Sequence, residues 1–167
     1  VQVCYVDYSG RLCGKIIPIS EMKSVVSKGV VFAKANLSFG LDDHFAEDAT
    51  FLANTGDFLA NPDLNSFTLL KHRPGIARYF SNMIDESGNN WVGCPRNQLQ
   101  QILNKYEDLD LTVKISLEPE FSIYKKNDDM FEPLSFDGMF TISGMDKVHL
   151  IWQKLYESFE SNNINIE

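Results

Sequence analysis

Glu118 and Glu120 are the residues in this chain whose type and spacing carry the most chemistry. They stand two apart in the run Glu118-Pro119-Glu120-Phe121. Odd positions around them read Leu111, Val113, Ile115, Leu117, Pro119, Phe121 and Ile123, and even positions read Thr112, Lys114, Ser116, Glu118, Glu120, Ser122 and Tyr124. Unbroken alternation predicts a strand over 111–124 with one apolar and one polar face. Both carboxylates then project from the polar face, two rises of about 3.3 Å apart. The spacing has two readings. One is a solvated strand face, on which Lys114 is the only nearby cation. The other is a pair of hard oxygen donors, each holding a divalent cation such as Mg²⁺, and two such ions neutralise both sides of a phosphoryl transfer. Pro119 removes a ladder donor between the two carboxylates, which predicts an edge, a bulge or a bend there.

No other set of residues competes for a site. Cys4, Cys13 and Cys94 are odd in number and lack the paired spacing of a disulfide framework or a zinc site. Cys4 and Cys13 can face each other across a hairpin, but free thiols in a reducing cytoplasm are the expectation. His44, His72 and His149 show no ligand spacing and read as structural or surface residues. The net charge of −8, with no basic cluster, argues against nucleic acid or an anionic membrane as partner. It leaves room for a nucleotide whose phosphates are met by metal ions. No apolar run approaches the roughly 18 residues that cross a bilayer, and no signal segment opens the chain. The chain starts at Val1 rather than Met and reads as a piece of something longer.

Several elements must position the carboxylates. The β-rich runs 2–7 and 12–17 flank Tyr8-Ser9-Gly10-Arg11 and predict a hairpin. Ser20 is the expected cap of a short helix with Met22, Val25 and Val26 on one face, and Gly29 its left-handed stop. Val30-Val31-Phe32 reads as a third strand. Residues 36–66, rich in Asn, Asp, Gly and Ala, read as a long surface loop with one or two short strands. Phe67 to Leu70 and Ile76 to Ile84 read as strands, with a turn over 86–90 and a return beginning at Trp91. From Cys94-Pro95 a helix carries Leu99, Ile102, Leu103 and Tyr106 as an apolar stripe. A last helix, with Asp146 as its expected cap, carries Val148, Ile151, Trp152, Leu155 and Phe159. Both stripes read as core faces.

In this order the motifs resemble the glutamine synthetase family. Glu118-Pro119-Glu120-Phe121 at the end of an alternating strand is similar to that family's first metal-binding segment. Val6 to Lys15 looks like the opening hairpin of its β-grasp domain, while Gly56-Asp57, Pro62-Asp63 and Pro74 to Arg78 look like the middle of it. Cys94-Pro95-Arg96 resembles the entry into the catalytic domain, and Asn163 to Glu167 the segment before the second metal motif. The resemblance implies an α+β fold, with a β-grasp-like N-terminal domain over 1–92 and the beginning of a catalytic domain over 93–167. It implies Mg²⁺ or Mn²⁺ on Glu118 and Glu120, one ion each, with Glu167 near the nucleotide. It further implies ATP as co-substrate, glutamate and ammonia or an amine as substrates, and a cytoplasmic ring-shaped homo-oligomer in the full-length protein. In such a ring, residues 36–66 would face a neighbour's site. Two glutamates do not complete two metal sites, so these residues alone are expected to be inactive. Ammonia-using members carry an aspartate where this chain reads Ala35-Asn36-Leu37-Ser38-Phe39, and Asp42, Asp43 or Asp48 are the nearby carboxylates. The alternative reading is a non-catalytic interaction or regulatory module that keeps the fold.

Overall fold

The computed structural model describes residues 1–138 and 140–166. The chain forms two compact units, Val1–Val113 and Lys114–Glu167. In the first, β1 (Gln2–Val6) and β2 (Leu12–Ile16) form the expected antiparallel hairpin, with Cys4 opposite Gly14 and Tyr5 opposite Cys13. Gly10 turns the chain at φ 79°, which costs a residue without Cβ little. Helix α1 (Met22–Lys28) follows, then β3 (Val30–Ala33), β4 (Asp57–Pro62), β5 (Thr68–Leu69) and β6 (Ala77–Ile84). The sheet runs β2-β1-β6-β4-β3, with β5 also on β6. β1 and β6 are parallel and the other pairs antiparallel. This is the α+β, β-grasp-like architecture that the motif order implied.

The core follows from strand alternation. Val3 and Tyr5 on β1, Val30 and Phe32 on β3, Phe58 and Ala60 on β4 and Met83 on β6 are all buried in one cluster with Met22 of α1, Leu37 and Cys94. Tyr5 meets Phe32 edge-on at 4.7 Å between ring centroids and Phe58 at 5.1 Å, and Phe58 stacks on Trp91 at 5.9 Å. Burying each such side chain stabilises the fold by about 1.5–3 kcal/mol. Tyr5 reaches Phe32 although two strands separate β1 from β3, so the sheet is strongly curled. Lys15 of β2 confirms the curl by donating from Nζ to Val31 O of β3 at 2.7 Å, joining the two sheet edges.

Four local expectations are corrected. Ser20 does not cap α1: it sits in a 3₁₀ turn, Ile19–Glu21, and Glu21 is the cap residue without a side-chain bond. Gly29 does stop α1 at φ 75°, but its ψ of 179° puts it outside the left-handed helical region, in a conformation almost confined to glycine. The stretch 36–66 does hold a strand, as expected, but β4 is an interior strand between β6 and β3 rather than part of a surface loop. Asp146 lies inside α3 (Ile142–Lys147), whose cap is Thr141, and α4 (His149–Ser161) begins after Val148.

Helix α2 (Pro95–Glu107) begins at Cys94 as expected and belongs to the first compact unit. Its apolar stripe is not a core face here: Leu99 and Ile102 are half exposed and Tyr106 is exposed. In the second unit β7 (Tyr124–Asn127) and β8 (Met130–Pro133) form a hairpin that turns at Asp128, and α3 and α4 follow. None of its described residues is buried, so the stripe of α4 is no core face either.

Candidate functional site

The paired carboxylates lie in a segment that forms no ladder. Residues 111–123 belong to no strand, and their backbone bonds outside regular elements are Leu111 N to Tyr106 O and Leu134 N to Ile123 O, both 2.9 Å. The predicted strand over 111–124 is therefore corrected: only Tyr124 enters one, in β7. Alternation specifies which face a strand buries, but a strand also needs a neighbour for its N–H and C=O groups. Both faces are exposed instead, including Leu117 at 86% and Phe121 at 56%.

Glu118 and Glu120 are exposed, and neither forms an ion pair with Lys114 or any other described residue. No three of His, Cys, Asp and Glu gather as a cation donor set among the described residues. The two glutamates suit Mg²⁺ or Mn²⁺ in donor type, since hard cations take oxygen ligands, but they are too few for an octahedral shell. Glu167, expected near a nucleotide, lies outside the described residues. His44, His72 and His149 are exposed, and the three cysteines are free thiols.

The segment Ala35 to Phe39 is built into the first unit. Ala35 and Leu37 are buried, and Ser38 Oγ accepts from Phe51 N at 3.0 Å. Burial pushes the Tyr5 phenol up to about 12, with the Cys13 thiol adding to the rise and a hydrogen bond with Asn36 opposing it. Of the nearby carboxylates, Asp43 is held by Arg11 Nη1 at 2.7 Å and Asp42 Oδ1 accepts from His44 N at 3.3 Å.

Two polar constructions went unnoticed in the sequence. The first is Asp7, whose side chain is 1% exposed. Its Oδ1 accepts from Ser9 N at 3.0 Å and Arg11 N at 2.8 Å, and its Oδ2 from Arg11 Nε at 2.8 Å. Burial raises the carboxyl pKa, but the Arg11 side-chain and backbone hydrogen bonds and the guanidinium charge outweigh it, leaving the group below its ordinary value. The spacing Asp7-x-x-Gly10-Arg11 was the available signal. The second is a cavity of about 200 Å³ between α2 and β6, lined by carboxamides and by the Arg96–Asp63 ion pair at 2.8 Å. Its signal was a row of amides at Asn97, Gln100, Gln101 and Asn104, helical neighbours on one face.

Comparison with known proteins gives these features a context. No family model matches the chain. It is 28% identical to the glutamine synthetase of Pyrococcus horikoshii over 160 residues, 94% of this chain and 33% of that protein. It is 26% identical to the glutamine synthetase of Halobacterium salinarum over 129 residues, 75% of this chain and 26% of that protein. The chain thus spans about a quarter to a third of these relatives' length. Among solved structures, a novel glutamine synthase homologue superposes with a TM-score of 0.74 at 16% identity, over 97% of this chain and 38% of that one. GmaS in complex with ADP superposes over 65% of this chain and 23% of that one, with a TM-score of 0.55 at 20% identity. The ordered motifs, the β-grasp-like sheet and sequence similarity through nearly the whole length make one case: the chain is a relative of the glutamine synthetases.

Proposed function

We propose that this chain is the N-terminal part of an ATP-dependent carboxylate–amine ligase and contributes one portion of its two-metal site. The observation that carries the reading is sequence similarity to a glutamine synthetase across 94% of the chain. Glu118 and Glu120 each hold one Mg²⁺ or Mn²⁺ in the complete site, and Glu167 lies near the nucleotide. The ions supply charge neutralisation for transfer of a phosphoryl group from ATP to the γ-carboxylate of glutamate, after which ammonia or an amine displaces phosphate. The protein's part is to position the carboxylates and so the ions. Asn36 is neutral, and Asp43 is already paired with Arg11. Asp42 and Asp48 remain exposed carboxylates in the same stretch, so the acceptor in this reading is ammonia or an amine. The domain division at residue 93, the cytoplasmic location and the homo-oligomeric ring belong to the same proposal.

Two carboxylates without a third donor also favour a chain that is inactive by itself. An ATP-dependent γ-glutamyl transfer assay tests both statements. The 167 residues alone should show no turnover. In a full-length protein containing them, Glu118→Gln and Glu120→Gln should each lower kcat by on the order of a hundredfold or more. Full activity in both variants rejects the metal role. Absence of activity in the unsubstituted full-length protein would instead favour a non-catalytic interaction module.

A further inference from the structure

Helix α2 carries two opposed faces. Leu99, Ile102, Leu103 and Tyr106 form the apolar one. Asn97, Gln100, Gln101 and Asn104 form the other, displaced by two residues, a rotation of about 200°. The amide face is the one that meets the sheet: Asn97 Nδ2 donates to Met83 O of β6 at 2.9 Å, and all four amides line the cavity. Ordinary amphipathic packing would have it the other way round. The cavity of about 200 Å³ holds the equivalent of six or seven waters at roughly 30 Å³ each, too little for a nucleotide.

Three features define what the cavity recognises. First, its charges cancel. Arg96 gives Nη2 to Asp63 Oδ2 at 2.8 Å and Nε to Asn82 Oδ1 at 3.1 Å, with the guanidinium over the Phe80 ring. An anion entering here meets Asp63 and a cation meets Arg96. Second, Asn97 is 6% exposed, and both partners of its Nδ2 are carbonyls, Met83 O and Trp91 O. Its amide orientation is therefore forced, and no described protein group donates to its Oδ1. Third, the Asn90 and Gln101 amides have no hydrogen-bond partner among the described residues, and Asn104 engages only its Oδ1, with Gln100 Nε2 at 2.8 Å. Unused donors and unused acceptors thus face the same small space.

We propose that this cavity binds a small uncharged molecule that donates and accepts hydrogen bonds at once, a primary carboxamide or a polyol. A carboxylate only accepts and an ammonium only donates, so each leaves half of the lining unmatched. The site uses no metal and no ATP, and it stands apart from the ligase reading. The test is a side-chain amide NMR titration of the ¹⁵N-labelled chain, with neither metal nor nucleotide present. Acetamide and glycerol are the neutral probes, and acetate and methylammonium the charged controls. At least one neutral probe should shift the Asn90, Gln101 and Asn104 NH₂ signals saturably, with the charged probes leaving them in place. Whichever neutral probe binds more tightly identifies the ligand class. Gln101→Leu and Asn104→Leu, both at exposed positions, should each raise the Kd about tenfold. The proposal is overturned if neither neutral probe gives a saturable shift, if charged probes act equally, or if neither variant changes the Kd.

Discussion

Replacing Asp7 by Ala removes the acceptor that closes the β1–β2 turn. Four donors lose it: Ser9 N, Arg11 N and Arg11 Nε, at 3.0, 2.8 and 2.8 Å, and more weakly the Cys13 thiol at 3.6 Å. Each bond to a charged acceptor is worth about 1.5–3 kcal/mol, but water can reach the exposed Ser9 amide and restore part of its share. Arg11 keeps Asp43, whose side chain is 83% exposed, a pair worth under about 1 kcal/mol. A net loss of about 3 kcal/mol follows, which at a urea m-value of about 2 kcal/mol/M moves the midpoint down by about 1.5 M. Asp7→Asn keeps one acceptor oxygen and turns an NH₂ toward Arg11 Nε, so its loss should be about half as large. Trp91, stacked on Phe58, reports the first unit by fluorescence once Trp152 is replaced by Phe.

The same variants carry a pH signature. The folded-state pKa of Asp7 lies below its unfolded value of about 3.9. Between the two values the unfolded state binds more protons, so stability rises with pH there. The Asp7 contribution is complete above about pH 4 and disappears as pH falls through the folded value. The midpoint gap between the unsubstituted chain and Asp7→Asn should therefore narrow under acid. A shift below about 0.3 M for Asp7→Ala, or a gap that stays constant from about pH 7 to about pH 3, would refute the reasoning.

Gly29→Ala should destabilise by about 1–3 kcal/mol, seen as a lower urea midpoint, because φ 75° with ψ 179° disfavours a Cβ. The added carbon would also stand 3.1 Å from Leu59 Cβ. Lys15→Met should lower the melting point by the equivalent of about 1 kcal/mol, since it removes the Nζ–Val31 O bond and the cation over Phe32; an unchanged melt would mean that the latch between sheet edges contributes nothing. The chain should self-associate through its exposed apolar segments, and Leu117→Lys with Phe121→Lys should reduce the mass found by light scattering. A clean monomer at high concentration before substitution would reject this.

The first unit was legible where the signal is local. The β1–β2 hairpin has its Gly10 turn within reach, and the strands at 30–33 and 77–84 are continuous β-rich runs. β4 was harder to see, because only Phe58-Leu59-Ala60 is apolar and Asp57, Asn61 and Pro62 disguise its ends. Its interior place comes from pairing with β3 and β6, which no local pattern encodes. The cap errors have another origin. Ser20 and Asp146 are good capping types, yet Thr141 caps α3 by accepting from Gly144 N, and Pro18 opens a 3₁₀ turn that takes in Ser20. The amide row of α2 escaped because an apolar stripe is ordinarily the inward one. Glu118 and Glu120 stood out as candidates by type and spacing, but the ordered resemblance around them carried that reading, and the missing ladder over 111–123 was not legible in the alternation.

That missing ladder limits what the two carboxylates achieve in this chain. Without ladder bonds over 111–123, no sheet neighbour fixes the dihedrals of Glu118 to Phe121. Fixing one residue's backbone costs about 1–2 kcal/mol, so ordering these four costs about 4–8 kcal/mol. A cation held with millimolar affinity supplies only about 4 kcal/mol. The ordering term therefore offsets a two-carboxylate contact before any third ligand is counted. In the proposed site, metal binding and strand pairing would then be one coupled event. A neighbouring strand that took up the N–H and C=O groups of 111–123 would bury Ile115, Leu117 and Phe121 and leave both glutamates on the opposite face. Removing three exposed apolar side chains from water is worth about 1.5–3 kcal/mol each, enough to supply that ordering before a cation arrives. Under the proposed metal role, Glu118 and Glu120 would gain useful Mn²⁺ affinity only in a protein that pairs their segment.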